Sequence, residues 1–219
     1  MAHVLITGGE SGLGLSLVRA YTDAGDRVSV LCRAKSPELD ALAPEMHTDV
    51  DVTNAAAVYR VAAAMGDVPI DMLINNAGIM IEDDIESLDI AAVRLQFEVN
   101  ALGPLNVTLA FRRRLSGGSK LINITSRLGS IGDNESGDDY GYRMSKAAQN
   151  MLTSNLAIEL KEQGVIVAAA HPGIVATGMT GGKGTPADEV ARDLKQTIDG
   201  LDASRSGQFM DRFGAELPW

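Results

Sequence analysis

"HVLITGGESGLGLSLVRAYTDAG", residues 3–25, runs three patterns together without a break. "HVLIT" is a short apolar run, Thr7 to Gly14 is rich in glycine, and Leu13, Leu17, Val18 and Tyr21 recur at helical spacing. Together they read as a buried strand, a tight turn and a helix. Gly8, Gly12 and Gly14 let the backbone turn sharply and come close to a ligand, and free amides at a helix N-terminus favour an anion such as a pyrophosphate. Glycine-rich turns are common; one set between a first strand and a first helix is a phosphate-binding signal.

Working outward, the alternation continues. "RVSVLC" reads as a second strand, "EMHTDV" as a third, and "NAAAVYRVAAAM" as a helix capped at Thr53 or Asn54. "DMLINNAG" is a fourth strand entering a turn. A long helix from Ser87 to Leu115 follows, in which Gly103-Pro104 makes a kink or a local irregularity. "SKLINITS" is a fifth strand, Tyr142 to Glu162 a helix stopped by Gly164, and "VIVAAAHPG" a sixth strand. "TPADEVARDLKQTI" reads as a helix with Thr185 as cap and Pro186 at the first helical position, and "SGQFMD" as a seventh strand. Strands alternating with helices over short loops predict an α/β fold: a doubly wound parallel sheet of about seven strands with helices on both faces. Such sheets bind ligands beyond the carboxyl ends of their strands, where the chemically interesting residues of this chain fall.

At 219 residues the chain suits a single domain, 1–219, and 45% hydrophobic with 22% charged residues is a globular composition. Nineteen basic against 29 acidic residues give a net charge of -10, which repels nucleic acid and anionic lipid surfaces. Arg112-Arg113-Arg114 ends a helical pattern, where cations complement the helix dipole. Cys32 is the only cysteine, so an intrachain disulfide and a thiolate metal cluster are excluded and a reducing cytoplasm fits. "MAHVLITGG" lacks a basic, apolar leader pattern, and no run reaches membrane-spanning length. His3, His47 and His171 have no metal-ligand spacing, and no metal is expected.

The Gly-x-x-x-Gly-x-Gly spacing of "TGGESGLG" resembles that of the short-chain dehydrogenases and reductases. Later segments agree in the family's order: "DV" at Asp51-Val52, "NNAG" at Asn75 to Gly78, "VNALGP", "INITS", "YRMSK" and "HPGIVAT". The likeness spans Val4 to about Asp211. It implies a Rossmann fold whose nicotinamide dinucleotide is held by Gly8, Ser11, Gly12, Leu13 and Gly14, with Asp51 and Val52 at the adenine. It places Asn76, Ala77 and Gly78 beneath the cofactor and Pro172, Gly173, Val175 and Thr177 along the nicotinamide. It also implies a catalytic set of Asn100, Ser126, Tyr142 and Lys146. "SRLGSIGDNESG" and "ELPW" resemble the C-factor-like subgroup, named for a bacterial signalling protein; no signalling role follows from that.

Helical spacing nominates Tyr142 over Tyr140, because positions i and i+4 share a face and Lys146 stands four residues after Tyr142. Tyr140 reads as a loop aromatic near the pocket mouth. A free phenol titrates near ~10, and a neighbouring ammonium favours the phenolate, which makes a better acid and base. The resemblance adds that Lys146 holds the nicotinamide ribose, Ser126 bonds the substrate oxygen, and Asn100 supports a proton-conducting water. The expected reaction is hydride transfer between nicotinamide and a carbonyl or alcohol carbon. A nucleotide-binding signalling or regulatory protein of the same fold is the alternative, since fold alone does not separate them. A methyltransferase is disfavoured by the Tyr-Lys pair, and the sugar-nucleotide epimerases need a further carboxy-terminal region.

At the end of the second strand, where an acid would bond the adenosine ribose, stand Cys32 and Arg33. Arg33 suits a 2'-phosphate, with Lys35 and Ser36 in support, so NADP(H) is preferred and NAD(H) is the alternative. Glu10 in the glycine loop either points to solvent or opposes that phosphate. Gly132 to Asp139, an acidic loop lengthening the Ser126 to Tyr142 interval, is expected near the substrate opening with its charges solvated. "GMTGGKG" is a short connector where the family has its lid, implying a small or medium substrate, with "IMIEDDIES" giving wall residues. The helices Ser87–Leu115 and Tyr142–Glu162 resemble those through which family members dimerise, so a homodimer or homotetramer is expected unless their apolar positions only cover the sheet. Trp219 packs either on its own domain or on a neighbour.

Overall fold

Val4, Leu5 and Ile6 are all inaccessible to solvent, and the side each faces explains the layering. Successive strand residues point to opposite faces, so a strand buried on both faces is apolar throughout. Val4 and Ile6 join Leu17, Val18 and Tyr21, whereas Leu5 joins Val58, Val107, Phe111 and Leu156 on the other face.

The structure, a computed structural model, describes residues 1–42 and 44–219. In chain order its elements begin β1 (His3–Thr7), α1 (Gly12–Asp23), β2 (Arg27–Leu31), α2 (Pro37–Leu42), β3 (Glu45–His47), α3 (Ala55–Ala64) and β4 (Met72–Asn75). They continue α4 (Ile90–Phe97), α5 (Gly103–Phe111), β5 (Lys120–Ile124), α6 (Tyr140–Glu159) and β6 (Ile166–His171). Last come β7 (Val175–Ala176), β8 (Thr185–Pro186), α7 (Ala187–Asp199) and β9 (Phe209–Asp211). The main sheet has seven strands in the order β3-β2-β1-β4-β5-β6-β9, all parallel, and β7 and β8 form a separate small pair. This is the predicted doubly wound sheet. The order reverses between β1 and β4, which opens a crevice at their carboxyl ends. Among the described residues no helix is long and apolar enough to cross a membrane.

Several boundaries differ from the sequence reading. The long helix starts at Ile90 rather than Ser87, because Asp89 caps it by accepting from the Ala91 N–H, while Ser87 closes a turn on Asp84. It is also interrupted by a π turn, Glu98–Leu102, in which the Gly103 N–H donates to the Glu98 carbonyl five residues back. Pro104 has no N–H for the Asn100 carbonyl, so the wider turn stands where a regular one would lack a donor. Of the two proposed caps of α3, Asn54 serves, accepting from Ala57 N–H. The last helix is entered from Pro186, not Thr185, since Thr185 is held in β8 against Val175. The Tyr142 helix begins two residues earlier, at Tyr140, and ends at Glu159. Tyr140 is therefore a helical residue, not a loop aromatic, and it does not line the cleft. The short helix α2 was not anticipated. Trp219 packs on its own chain: its ring lies 5.4 Å from Phe209, and its carbonyl accepts from Gly132 N–H and Ser130 Oγ.

Candidate active site

The crevice widens into a cleft of about 1490 Å³. Its floor begins with the glycine loop. Gly8 and Gly12 have left-handed φ values of 68° and 54°, which side chains resist. At Gly14 the constraint is space, since a Cβ would lie 2.0 Å from the Gly8 carbonyl oxygen. The turn after β4 is tied to this loop, with Asn76 Nδ2 donating to the Thr7 and Gly8 carbonyls and Thr7 Oγ1 accepting from the Asn76 and Ala77 N–H groups. Thr177 closes over it: a Cβ on Gly12 would meet Thr177 Cγ2 at 3.2 Å. These close approaches leave bare backbone facing the crevice at the N-terminus of α1, and the residues present fit a dinucleotide.

Every predicted site residue except Asn100 lines the cleft: Gly8, Ser11, Gly12, Leu13, Gly14, Arg33, Asp51, Val52, Asn76, Ala77, Gly78, Ser126, Tyr142, Lys146, Pro172, Gly173, Val175 and Thr177. Asn100 is fully buried behind it in the π turn, with Oδ1 accepting from Ile79 N–H and Nδ2 donating to the Ile79 carbonyl and Ser145 Oγ. It thereby fixes the segment that leaves β4.

Tyr142 and Lys146 come from the first two turns of α6 and Ser126 from just beyond the end of β5. Lys146 Nζ lies 5.8 Å from the centre of the Tyr142 ring and donates to the Ile124 carbonyl at 3.0 Å and to Gln149 Oε1 at 2.9 Å. In this structure burial outweighs whatever the neighbouring amine offers the phenol. Burial pushes Tyr142 up to about 12, against the pull of its hydrogen bond to Ser126, and Asp139 adds to the rise. Burial also draws Lys146 down to about 7, so near neutral pH the amine is only part charged and assists the phenol less than a full ammonium would.

The coenzyme end holds a pair that the sequence did not predict. Glu10 Oε1 lies 3.7 Å from Arg33 Nε, and Glu10 Oε2 is buried without a hydrogen-bond partner. Glu10 thus turns toward Arg33 and not to solvent. At the substrate end, the acidic loop contributes Asp133, Glu135 and Ser136 to the cleft, and the "IM" of the wall segment is Ile79 and Met80. Two loop acids are paired and not merely solvated, Asp133 with Arg127 and Asp138 with Arg143. His171, read as an ordinary residue, lines the cleft at the end of β6, its pKa drawn down to about 4 by burial and then by Arg127. Among the described residues no group of three or more His, Cys, Asp or Glu is placed to hold a metal ion.

A parallel sheet that reverses its order over a glycine cradle defines the Rossmann class of dinucleotide-binding proteins. Within that class the chain belongs to the short chain dehydrogenase family, whose model matches residues 2–187, and it is a dehydrogenase or reductase. A 1-hydroxy-2-glutathionyl-2-methyl-3-butene dehydrogenase of Rhodococcus sp. (strain AD45) is 38% identical, with 100% of both chains covered. The C-signal protein of Myxococcus xanthus is 41% identical over 69% of this chain and 93% of its own. Among solved structures, the carbonyl reductase Sniffer of D. melanogaster matches with a TM-score of 0.92 at 30% identity, covering 100% of both chains. An NADPH-bound carbonyl reductase from chicken fatty liver matches with a TM-score of 0.89 at 29% identity, over 100% of this chain and 99% of that one.

Proposed function

We propose that residues 1–219 act as one dinucleotide-binding and catalytic domain, transferring hydride between NADP(H) and the carbonyl or alcohol carbon of a small or medium substrate, with NAD(H) the alternative coenzyme. The observation that carries this reading is the convergence of Ser126, Tyr142 and Lys146 on the cleft that the glycine loop floors. Nicotinamide supplies or accepts the hydride. Gly8, Ser11, Gly12, Leu13 and Gly14 cradle the pyrophosphate; Asp51 and Val52 meet the adenine. Asn76, Ala77 and Gly78 lie beneath, while Pro172, Gly173, Val175 and Thr177 position the nicotinamide. Tyr142 exchanges a proton with the substrate oxygen, Ser126 donates to that oxygen as charge grows on it, and Lys146 holds ribose hydroxyls and stabilises the phenolate. Asn100 anchors the wall and supports a water beside Lys146.

Arg33 supports NADP(H), as does the NADPH in the chicken reductase. Its pairing with Glu10 weighs toward NAD(H). Assembly is part of the proposal. Leu95, Leu102 and Leu109 recur every seven residues through α4 and α5, as do Met144, Met151 and Ile158 on α6, and all six are 42–72% exposed. They do not cover the sheet, and a second copy would bury both stripes in a homodimer or homotetramer. The buried Cys32, free of any disulfide, fits a cytoplasmic location.

The likeness to C-signal favours a second reading, a nucleotide-binding signalling protein with little turnover. Fluorescence titration with NADPH and NADH, followed by NADPH oxidation against aldehydes, ketones and quinones and by oxidation of a hydroxylated glutathione thioether, separates the two. Turnover that falls about 10²–10⁴-fold in Tyr142→Phe, with dinucleotide affinity kept, supports the enzyme. Wild-type turnover in that variant removes Tyr142 from the chemistry. Binding without turnover across the panel favours the signalling reading.

A further inference from the structure

Gln149 stands three residues beyond Lys146 on α6, so helical spacing sets both side chains on one face. Its side chain is inaccessible to solvent, and Oε1 accepts from Lys146 Nζ at 2.9 Å. Chemistry fixes the orientation of the amide, because an ammonium has only donors and the turned amide would set N–H against N–H. Among the described residues Nε2 has no acceptor within reach. The side chain therefore makes one hydrogen bond, and that bond is to Lys146. Burying an amide with one partner weakens the fold relative to an aliphatic side chain of like volume. Packing alone gives no reason for glutamine at this position.

Lys146 lacks other support for its charge. Around Nζ, β5 supplies the neutral Ile124 carbonyl, the turn after β4 brings the Gly78 backbone close by, and the π turn sets the Asn100 amide beside that same Gly78. The Gly129 turn contributes backbone packed on Lys146, and α6 contributes the Tyr142 phenol. Among the described residues no carboxylate acts on the amine, and burial draws its pKa down to about 7.

We propose that Gln149 is a positioning residue of the site, whose side-chain carbonyl holds Lys146 as an ammonium and, with the Ile124 carbonyl, leaves its third N–H for the cleft. The effect on Lys146 follows from geometry; the effect on turnover rests on the hydride-transfer reading. The test is a pH titration by NMR of the full chain labelled with [ε-¹³C]lysine, the Lys146 signal being the one lost in Lys146→Arg. Gln149→Met is expected to lower the Lys146 midpoint by about one to two pH units, the worth of a hydrogen bond to a charged group, while thermal stability is kept or raised. Gln149→Glu keeps an acceptor and adds negative charge, so its midpoint is expected above the wild type. The pH profile of kcat should move in the same order.

One midpoint shared by wild type, Gln149→Met and Gln149→Glu overturns the proposal. If Gln149→Met does not fold, Gln149→Glu decides alone, a raised midpoint supporting the assignment and an unchanged one ending it. The titration needs no substrate, so failure of the hydride-transfer reading appears separately, as turnover that survives Tyr142→Phe.

Discussion

Gly14 has no room for one more carbon, since a Cβ there would also lie 2.5 Å from Asn76 Nδ2. Gly14→Ala is therefore expected to lower stability by about 1–3 kcal/mol, the usual penalty for forcing atoms into a packed site. Chemical denaturation measures it, and dinucleotide titration should show weaker binding in the same variant because the Gly8 carbonyl must shift. Coenzyme choice turns on Arg33, which meets Glu10 at 3.7 Å. Arg33→Asp should reverse the NADPH to NADH affinity ratio; an unchanged ratio rules out Arg33 as reader of the 2'-phosphate. The glycines, Tyr142 and Lys146 were legible in the sequence because backbone rules and helical spacing are local. Glu10 facing Arg33 was not, because β1 and β2 bring the two together only by pairing. The rise in the Tyr142 pKa was likewise hidden, as burial is a property of the whole fold.

At the scale of elements, strands were read well and helix ends less well. Strands here are short apolar runs with one fate, burial on both sides, so composition marks them. Helix ends depend on partners that lie elsewhere. The N-terminus of α6 is capped by Asp83, which accepts from Tyr140 and Gly141 N–H across 57 and 58 residues, and no pattern near Tyr140 announces it. The cap of α3 is local, with Asn54 Oδ1 accepting from Ala57 N–H at 3.1 Å, and it was visible. Asn54→Ala should cost about 1 kcal/mol in thermal or denaturant unfolding. The π turn was foreseen only as an irregularity at Gly103-Pro104; its place one turn earlier follows from the missing proline N–H. That displacement puts Asn100 against Ile79 and Ser145.

For the whole molecule, the two exposed heptad-spaced stripes predict assembly. Met151, 62% exposed, lies at the middle of the α6 stripe. Met151→Glu should shift the protein toward monomer in analytical ultracentrifugation with little change in fold, because the position touches no core. A monomeric wild type would refute the assembly. The doubly wound parallel sheet was legible because alternating strands and helices admit few right-handed windings, whereas the order of its strands was not read. The walls of the cleft were less so, since they join segments as distant as Ile79, Asp133 and Met179. One wall carries a kinetic consequence. Between β7 and β8 the connector holds only one short 3-10 turn, Gly178–Thr180, where a longer cover would have to swing aside before ligands exchange. With so little to move, products are expected to leave quickly and the bond-making step to set the pace, so thickening the solvent with glycerol should leave the rate per enzyme nearly unchanged.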